Sequence, residues 1–160
     1  MATTAVHEPR ATAEGVHVVE LIPKAGAVVR VSGPTSDMPR LFAEAFAATA
    51  RAIQASRGRM DGPPFARYLA FGHRVLAEVG FPFVGRLVED GHVHRTELPG
   101  GSAVTATHVG PYETIGMTWD ASRAWIDEQG IEVAGPAWEV YLTGPNDPGP
   151  HVTEIYWPIR

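Results

Sequence analysis

The hydrophobic and polar positions of the chain follow two periods, one typical of strands and the other of helices. β-Branched runs at residues 17–22 and 26–32 predict two strands. An apolar stripe at helical spacing follows them and predicts a helix that ends near residues 57–58. The stripe consists of Phe42, Ala45, Phe46, Thr49 and Ile53, of which only Thr49 is polar. After a Gly-Pro break, residues 65–71 and 76–83 predict two further strands.

The same order of elements recurs in the second part of the chain. Residues 102–109 predict a strand, and a Gly-Pro turn leads into a helix that Gly130 is well placed to terminate. The residues that share one face of this helix are Tyr112, Ile115, Trp119, Ser122 and Ile126. Strands at residues 138–143 and 152–159 follow it. Between the two parts, residues 84–98 predict a hairpin with an Asp-Gly turn.

Three short matches between the two parts indicate a duplication. In chain order they pair Gly33–Pro34 with Gly110–Pro111, residues 62–69 with 135–142, and residues 77–83 with 153–159. The matched segments lie 77, 73 and 76 residues apart, which is nearly one offset. The sequence therefore predicts an α+β fold made of duplicated strand-helix-strand-strand units with pseudo-twofold symmetry. These units would form an antiparallel sheet with two helices on one face and a central ligand cleft.

The length of 160 residues suits one domain with a substantial hydrophobic core. We expect a flexible N-terminal tail over residues 1–15 and a single domain over residues 16–160. Its halves would span about 16–83 and 102–160, joined by the hairpin at 84–98.

Side-chain alternation along the strand that contains Glu139 separates its apolar from its polar positions. Trp138, Val140 and Leu142 share one face, which we expect to pack against the helices. Glu139 and Tyr141 share the other face, so a carboxylate and a phenol lie side by side in the predicted cleft.

The first half repeats the tyrosine as Tyr68 but has Ala66 in place of Glu139. In the last strand, Glu154 and Tyr156 likewise share a face. Aromatic walls around a carboxylate suit a flat, apolar and often cationic guest, because rings attract cations as well as apolar surface.

Two other interpretations of these residues stay open. The glutamates can be solvated strand residues, with the tyrosines as ordinary sheet residues and the tryptophans in the core. Alternatively, a water held by Glu139 or Glu154 could attack an electrophilic carbon while a tyrosine donates a proton. The sequence does not separate a binding protein from such an enzyme.

Composition and charge argue against several classes of partner. The formal net charge is −5 with no cluster of Lys and Arg, which disfavours direct binding to nucleic acid. No apolar run approaches the roughly 20 residues needed to span a bilayer, so no membrane partner is expected. The start of the chain does not resemble a secretory signal, and cysteine is absent. These features fit a cytoplasmic protein.

No motif for a cofactor is found. The chain has no phosphate-binding loop, dinucleotide fingerprint or nucleophile elbow, so we expect no cofactor. His92 and His94 have the spacing of metal ligands on a strand, but no further ligand nearby completes a site, and we expect no metal.

The chain resembles the GyrI-like small-molecule-binding family, the effector-binding domain of AraC-type and MerR-type multidrug regulators. The segments that carry the resemblance are Gly62-Pro63-Pro64-Phe65-Ala66-Arg67-Tyr68, Leu98-Pro99-Gly100-Gly101, His108-Val109-Gly110-Pro111-Tyr112-Glu113, Trp138-Glu139-Val140-Tyr141-Leu142-Thr143 and Thr153-Glu154-Ile155-Tyr156-Trp157-Pro158. With the elements between them, the resemblance covers the chain from about residue 16 to its end. It implies the duplicated fold, a cleft for amphipathic aromatic and often cationic compounds, and Glu139 as the principal cleft carboxylate.

The candidate ligand-binding residues are Glu139, Tyr141, Tyr68, Tyr112, Trp119, Glu154, Phe65 and His108. In a hydrolase, Glu139, Glu154 and Tyr112 would be catalytic.

Three functions are carried forward. The first is a stand-alone binding protein for small aromatic or lipophilic cationic ligands, because the chain has no room for a DNA-binding domain. The second is a hydrolase that uses the same cleft, since some stand-alone relatives are reported to hydrolyse the cyclopropane of DNA-alkylating cyclopropanoid compounds. The third is a protein-interaction module such as a gyrase modulator. A homodimer is left open.

Overall fold

The computed structural model describes residues 15–160, so the predicted tail lies outside the described residues except for Gly15. The strands are β1 His17–Leu21, β2 Lys24–Pro34, β3 Arg59–Met60, β4 Phe65–Ala70, β5 Arg74–Val84, β6 His94–Leu98, β7 Gly101–Val109, β8 Trp138–Tyr141 and β9 Val152–Pro158. The helices are α1 Met38–Ala55 and α2 Ile115–Glu128, each preceded by one 3₁₀ turn. The strands form an antiparallel sheet in the order β1-β7-β9-β8-β4-β5-β2-β6, with β3 paired to β5.

The duplication predicted from the sequence is confirmed. The first unit is β2-α1-β4-β5 and the second is β7-α2-β8-β9, and the two join through the antiparallel pair of β4 and β8. Both helices lie on one face of the sheet, α1 against β2 and β5 and α2 against β7. The central strands β4 and β8 therefore lie between the two helices.

The sheet curls back on itself through two bent segments. β1 continues into β2 at Ile22–Pro23, and β6 continues into β7 after Pro99. Because β1 pairs with β7 while β2 pairs with β6, the two segments are paired on both sides of their bends. At the crossing point, a Cβ on Gly100 would lie 2.4 Å from Cδ of Pro23, so only glycine fits there. The face away from the helices thus becomes the inside of the curl.

The predicted hairpin over residues 84–98 is wrong. After β5 the chain forms an irregular loop, in which the Asp90 carboxylate accepts hydrogen bonds from the main-chain N–H groups of His92 and Val93. Val93 is buried in the core cluster that contains Ala45 and Ile53 of α1, and this burial fixes the loop beside the helix. β6 then begins at His94 and pairs with β2 instead of the preceding segment.

The helices follow their predicted stripes, with small shifts at the ends. α1 buries Ala45, Thr49 and Ile53, and it ends at Ala55, two residues before the predicted end. The hydroxyl of Thr49 donates to the carbonyl oxygen of Ala45 at 2.8 Å, which explains how a polar residue is buried there. Within residues 15–160, neither helix has the length and apolar character needed to cross a bilayer.

The alternation along β8 is as predicted, but the assignment of its two faces is wrong. Glu139 and Tyr141 point to the helix side, whereas Trp138 is buried inside the curl against Val28 and Phe65. The curl itself covers the apolar face, so that face needs no helix to bury it. The cleft between α1 and α2 is left for the polar face.

Candidate ligand site around Glu139

Glu139 lies in the middle of the sheet and between the helices. It pairs directly with Ala66 across β4 and β8, and only 5% of its surface is exposed. Ala66 is fully buried and has the smallest side chain that a strand can carry besides glycine. The space above Ala66 is therefore free for the longer side chain of Glu139.

Three neutral donors surround the Glu139 carboxylate. The indole N–H of Trp119, from α2, donates to Oε1 at 2.7 Å. The hydroxyl of Tyr141 donates to Oε2 at 2.5 Å, and that of Tyr68 donates to the same oxygen at 3.0 Å. Hydrogen bonds to a carboxylate are stronger than neutral ones, so these three donors fix the position of the buried Glu139 side chain.

The charge of Glu139 has no cationic partner in the part of the chain that the structure describes. None of the ion pairs among residues 15–160 includes it. By contrast, the buried Glu78 is paired with Arg67 at 2.6 Å. A buried anion that is stabilised by dipoles alone retains a strong attraction for an incoming cation.

The environment also fixes the protonation of the tyrosines. Burial, and next the charge of Glu139, raise the pKa of Tyr68 well above its usual value. Burial raises the pKa of Tyr141 in the same direction, with further contributions from Tyr68 and Glu139. Both phenols therefore stay protonated at neutral pH and remain hydrogen-bond donors.

Aromatic rings line the space around this cluster. Phe42 of α1 packs against Tyr68 with a centroid distance of 6.4 Å, and Phe46 packs against Tyr141 at 6.0 Å. Trp119 approaches Tyr68 from α2 at 6.0 Å in an edge-to-face arrangement. Such rings offer dispersion contacts to an apolar guest and their faces attract a cation.

The outer rim of the cleft exposes apolar surface. Phe71 is 76% exposed and packs edge-to-face on Tyr68, and Tyr112 is 38% exposed and packs on Tyr141. The ring of His151 stacks on Tyr112 with a centroid distance of 4.7 Å and an angle of 10°. An amphipathic ligand that approaches the cleft would meet this rim first.

Five of the predicted site residues come together here. They are Glu139, Tyr68, Tyr141, Trp119 and Tyr112. The other three lie elsewhere. His108 is buried near the end of β7, where its ring nitrogens lie within hydrogen-bonding distance of Thr118 in α2 and of the Pro111 carbonyl. It supports the turn before the helix and does not contact Glu139.

Phe65 and Glu154 are placed on the opposite face of the sheet. Phe65 is buried inside the curl beside Trp138, and Glu154 pairs across the sheet with Val140. Glu139 and Glu154 therefore do not share a cleft, contrary to the prediction. The register of β9 against β8 decides this, because Glu154 lies across from Val140, and Val140 and Glu139 are consecutive and point to opposite faces.

The sequence reasoning missed four rim and wall residues. Phe42 and Phe46 belong to the predicted helical stripe but are not among the predicted site residues. Phe71 and His151 gave no signal, since one lies at the end of a predicted strand and the other directly before the predicted strand at residues 152–159. In residues 15–160 no group of three or more metal-ligating side chains occurs.

Comparison with known proteins decides the family. A sequence profile described as the GyrI-like small molecule binding domain matches residues 16–160. The chain belongs to the GyrI-like family. A comparison with curated proteins finds no match. The GyrI-like description agrees with a fold whose central carboxylate lies between aromatic walls.

Solved structures share the GyrI-like fold at low sequence identity. The C-terminal domain of EcmrR has a TM-score of 0.79 at 17% identity, with 91% of this chain and 96% of that chain covered. SAV2435 bound to tetraphenylphosphonium has a TM-score of 0.65 at 9% identity, with coverage of 91% and 93%. A hydrolase from Listeria innocua has a TM-score of 0.58 at 15% identity, with coverage of 91% of both chains. At these identities the similarity concerns the fold alone.

Proposed function

We propose that the cleft around Glu139 binds amphipathic aromatic cations. The observation that carries this proposal is a buried carboxylate that has only neutral donors and aromatic rings around it, with no ion-pair partner among residues 15–160. The chain's family is defined by small-molecule binding, and a protein of the same fold is bound to tetraphenylphosphonium.

A cation gains two attractive terms in this cleft. The first is Coulombic attraction to Glu139, which is stronger here than in water because the carboxylate is buried. The second is the attraction between the cation and aromatic faces, worth about 0.5–2 kcal/mol for each good contact. Neither term requires a particular donor geometry, so the same cleft can accept ligands of different shapes.

Binding requires the aromatic side chains to move. With 5% of its surface exposed, Glu139 is reached only when rings at the rim turn away. Phe71 and Tyr112 are the most exposed of these rings, and Tyr112 lies in the 3₁₀ turn before α2. The ligand would enter between them and place its charge above the carboxylate.

The test compares two ions of one shape and opposite charge. Tetraphenylphosphonium and tetraphenylborate are titrated separately into the folded protein by isothermal titration calorimetry. We expect saturable binding of the phosphonium alone. Glu139→Gln should weaken it at least about tenfold, which corresponds to about 1.4 kcal/mol. Glu128→Gln, the same change at an exposed position on α2, should leave the affinity unchanged. Equal affinity for both ions, or an unchanged affinity in Glu139→Gln, would contradict the proposal.

A second candidate function is hydrolysis in the same cleft. The hydroxyl of Tyr141 lies 2.5 Å from Glu139, and a protein of the same fold is described as a hydrolase. A water that displaces one donor could be deprotonated by Glu139 and form a bond to an electrophilic ring carbon. As the strained carbon–carbon bond breaks, the other carbon would take a proton from a phenol, and the proton on Glu139 would restore the phenol.

Mass spectrometry separates the two functions. A panel of electrophilic cyclopropane compounds is incubated with the protein, and products are analysed for the mass gained by addition of one water. Turnover that is lost in Tyr141→Phe would support the hydrolase. Ligands recovered intact while tetraphenylphosphonium still binds would leave binding as the function.

A further inference from the structure

The inside of the curl contains two acids at equivalent positions of the two halves. Glu78 lies on β5 and Glu154 on β9, 76 residues later. Each acid lies in the middle of three neighbouring strands. The cross-strand partners of the two acids differ in charge, and this difference shows that Glu154 lacks a cationic partner.

In the first half, both cross-strand partners of Glu78 are arginines, and one of them forms an ion pair with it. Arg67, across from it on β4, donates to Oε1 from Nη2 at 2.6 Å and from Nε at 3.0 Å. The same guanidinium also donates to the Thr96 hydroxyl at 2.7 Å and to the Glu97 carbonyl oxygen at 3.0 Å. Arg30 is the cross-strand partner of Glu78 on the other side, in β2. This half is a complete guanidinium site built from the chain itself.

In the second half, uncharged residues replace both arginines. Val140 takes the place of Arg67 across from Glu154, and Thr107 takes the place of Arg30. Among residues 15–160, the hydrogen bond to Glu154 comes from the hydroxyl of Tyr156, which donates to Oε2. The acid is kept while its cations are lost, so its charge is uncompensated by the described part of the chain.

A buried hydroxyl beside this acid lacks a hydrogen-bond donor. Thr105 is the cross-strand partner of Tyr156 on β7, on the same face of the sheet, and only 5% of its surface is exposed. Its Oγ1 accepts no hydrogen bond from the described residues, and its own interaction with the Tyr156 hydroxyl is weak. Buried polar atoms in folded proteins are normally hydrogen-bonded, so a buried oxygen that accepts no hydrogen bond here indicates a missing donor.

The floor and the opening of this region fit a planar cation. The rings of Trp138 and Tyr156 are stacked at 5.6 Å and 17° on the same face, which provides a flat aromatic floor. Thr107 is exposed, so Glu154 can be reached from solvent along the edge of β7. His17 is the basic residue across from Thr105, and its Nδ1 lies within hydrogen-bonding distance of the carbonyl oxygen of Gly15, at 2.9 Å.

We propose that Glu154, Tyr156 and Thr105 form a second ligand site, which binds a small guanidinium or amidinium cation. The ligand takes the place that the Arg67 guanidinium has in the other half. Its N–H groups donate to Glu154 and to the Oγ1 of Thr105, which lacks a donor, and its plane lies against the aromatic floor. This site is on the opposite face of the sheet from Glu139 and does not depend on the function proposed for that cleft.

The first test uses methylguanidinium as the probe and tetramethylammonium as its control, since the latter has the same charge but no N–H donor. Both are titrated into ¹⁵N-labelled protein. We expect saturable shifts of the main-chain amide signals of Tyr156 and Thr105 with methylguanidinium only. Glu154→Gln should weaken this binding about tenfold, whereas Glu139→Gln should retain it. Equal shifts with both cations, or shifts that survive Glu154→Gln, would overturn the proposal.

A second test fills the site from within and does not depend on the stability of Glu154→Gln. Val140→Arg places a guanidinium where Arg67 stands in the first half, and Val140→Met adds similar bulk without charge. The arginine variant should lose methylguanidinium binding and melt at a higher temperature than the methionine variant. If both variants bind the probe alike, the second site does not exist.

Discussion

Ala66 and Glu139 are direct partners across the β4–β8 pair, and they are also equivalent residues of the two halves. The local twofold axis therefore passes between them. The main-chain hydrogen bonds are related by this axis. The Tyr68 N–H donates to the Ala137 carbonyl at 3.1 Å, and the equivalent Tyr141 N–H donates to the Pro64 carbonyl at 3.0 Å. The two phenols are thus related by the axis and converge on one oxygen of a single carboxylate.

The axis explains why one half has an acid and the other an alanine. Side chains of direct antiparallel partners have Cβ atoms about 4.5–5.5 Å apart, so two acids here would repel each other. In Ala66→Glu one of the two carboxyls should have its pKa raised in the folded state. When the folded state raises the pKa of a carboxyl, the free energy of unfolding of the protein falls as the pH increases above about 4.3, the usual pKa of glutamate. We expect Ala66→Glu to be less stable at pH 8 than at pH 4, relative to wild type, in urea unfolding.

Ala66→Gln is the matched control, because glutamine has nearly the same volume and no charge. Overpacking should destabilise both variants by about 1–3 kcal/mol. Only in the glutamate variant should the loss of unfolding free energy, relative to wild type, grow with pH. A deficit of equal size at both pH values would mean that the two carboxyls do not interact.

The repeat and the strand parity made much of this site predictable from the sequence. Glu139, Tyr141 and Tyr68 were brought together by the alternation of β8 and by the match between the halves. The duplicated fold followed from the same matches. These features depend on local spacing, which a sequence shows directly.

The faces of the sheet could not be predicted in the same way, because they depend on closure. Burial of Trp138 without a helix requires the curl, and the curl depends on the pairing of β1 with β7 and of β2 with β6. A signal for it was present, since His17 and Leu21 recur as His94 and Leu98, 77 residues later. Without that match, residues 84–98 were assigned to a hairpin and Glu154 to the wrong face. The homodimer and the gyrase-modulator function stay predictions.

The two phenols should contribute unequally to stability. Tyr141 lies 2.5 Å from Glu139 and Tyr68 lies 3.0 Å from it. A hydrogen bond to a charged group contributes about 1.5–3 kcal/mol, and the shorter bond should lie at the upper end of this range. We expect Tyr141→Phe to lower the free energy of unfolding more than Tyr68→Phe. Urea denaturation followed by circular dichroism measures both, and a larger loss in Tyr68→Phe would contradict this order.

Three of the four tyrosines, Tyr68, Tyr141 and Tyr156, should resist ionisation until the protein unfolds. Burial raises the pKa of Tyr68, Tyr141 and Tyr112, and burial together with Glu154 raises the pKa of Tyr156 to about 12. A group whose folded pKa is raised gives stability that is complete below its unfolded pKa, about 10, and is lost as the pH rises above it. Stability should therefore fall steeply above pH 10.

The measurement is the absorbance of tyrosinate at 295 nm as the pH is raised, with far-ultraviolet circular dichroism recorded in parallel. We expect most of the absorbance to appear together with the loss of secondary structure, after an early contribution from the partly exposed Tyr112. In concentrated urea the same residues should titrate near pH 10. Complete ionisation of the tyrosines near pH 10, while the protein is still folded, would contradict this prediction.

Gly100→Ala should open the closure of the sheet. A Cβ at this position would lie 2.4 Å from Cδ of Pro23 and 2.8 Å from its main-chain nitrogen, so the two bent segments could not cross as they do. We expect a loss of several kcal/mol in urea unfolding, at the upper end of what single substitutions produce. Gly116→Ala is the matched control, because a Cβ there meets nothing within 4 Å and the position is exposed on α2. Alanine favours a helix over glycine by about 1 kcal/mol, so this variant should be as stable as wild type or more stable.

Because the inside of the curl depends on the crossing, Gly100→Ala should also weaken methylguanidinium binding, whereas Gly116→Ala should not. Wild-type stability in Gly100→Ala would mean that the bends can separate without opening the sheet.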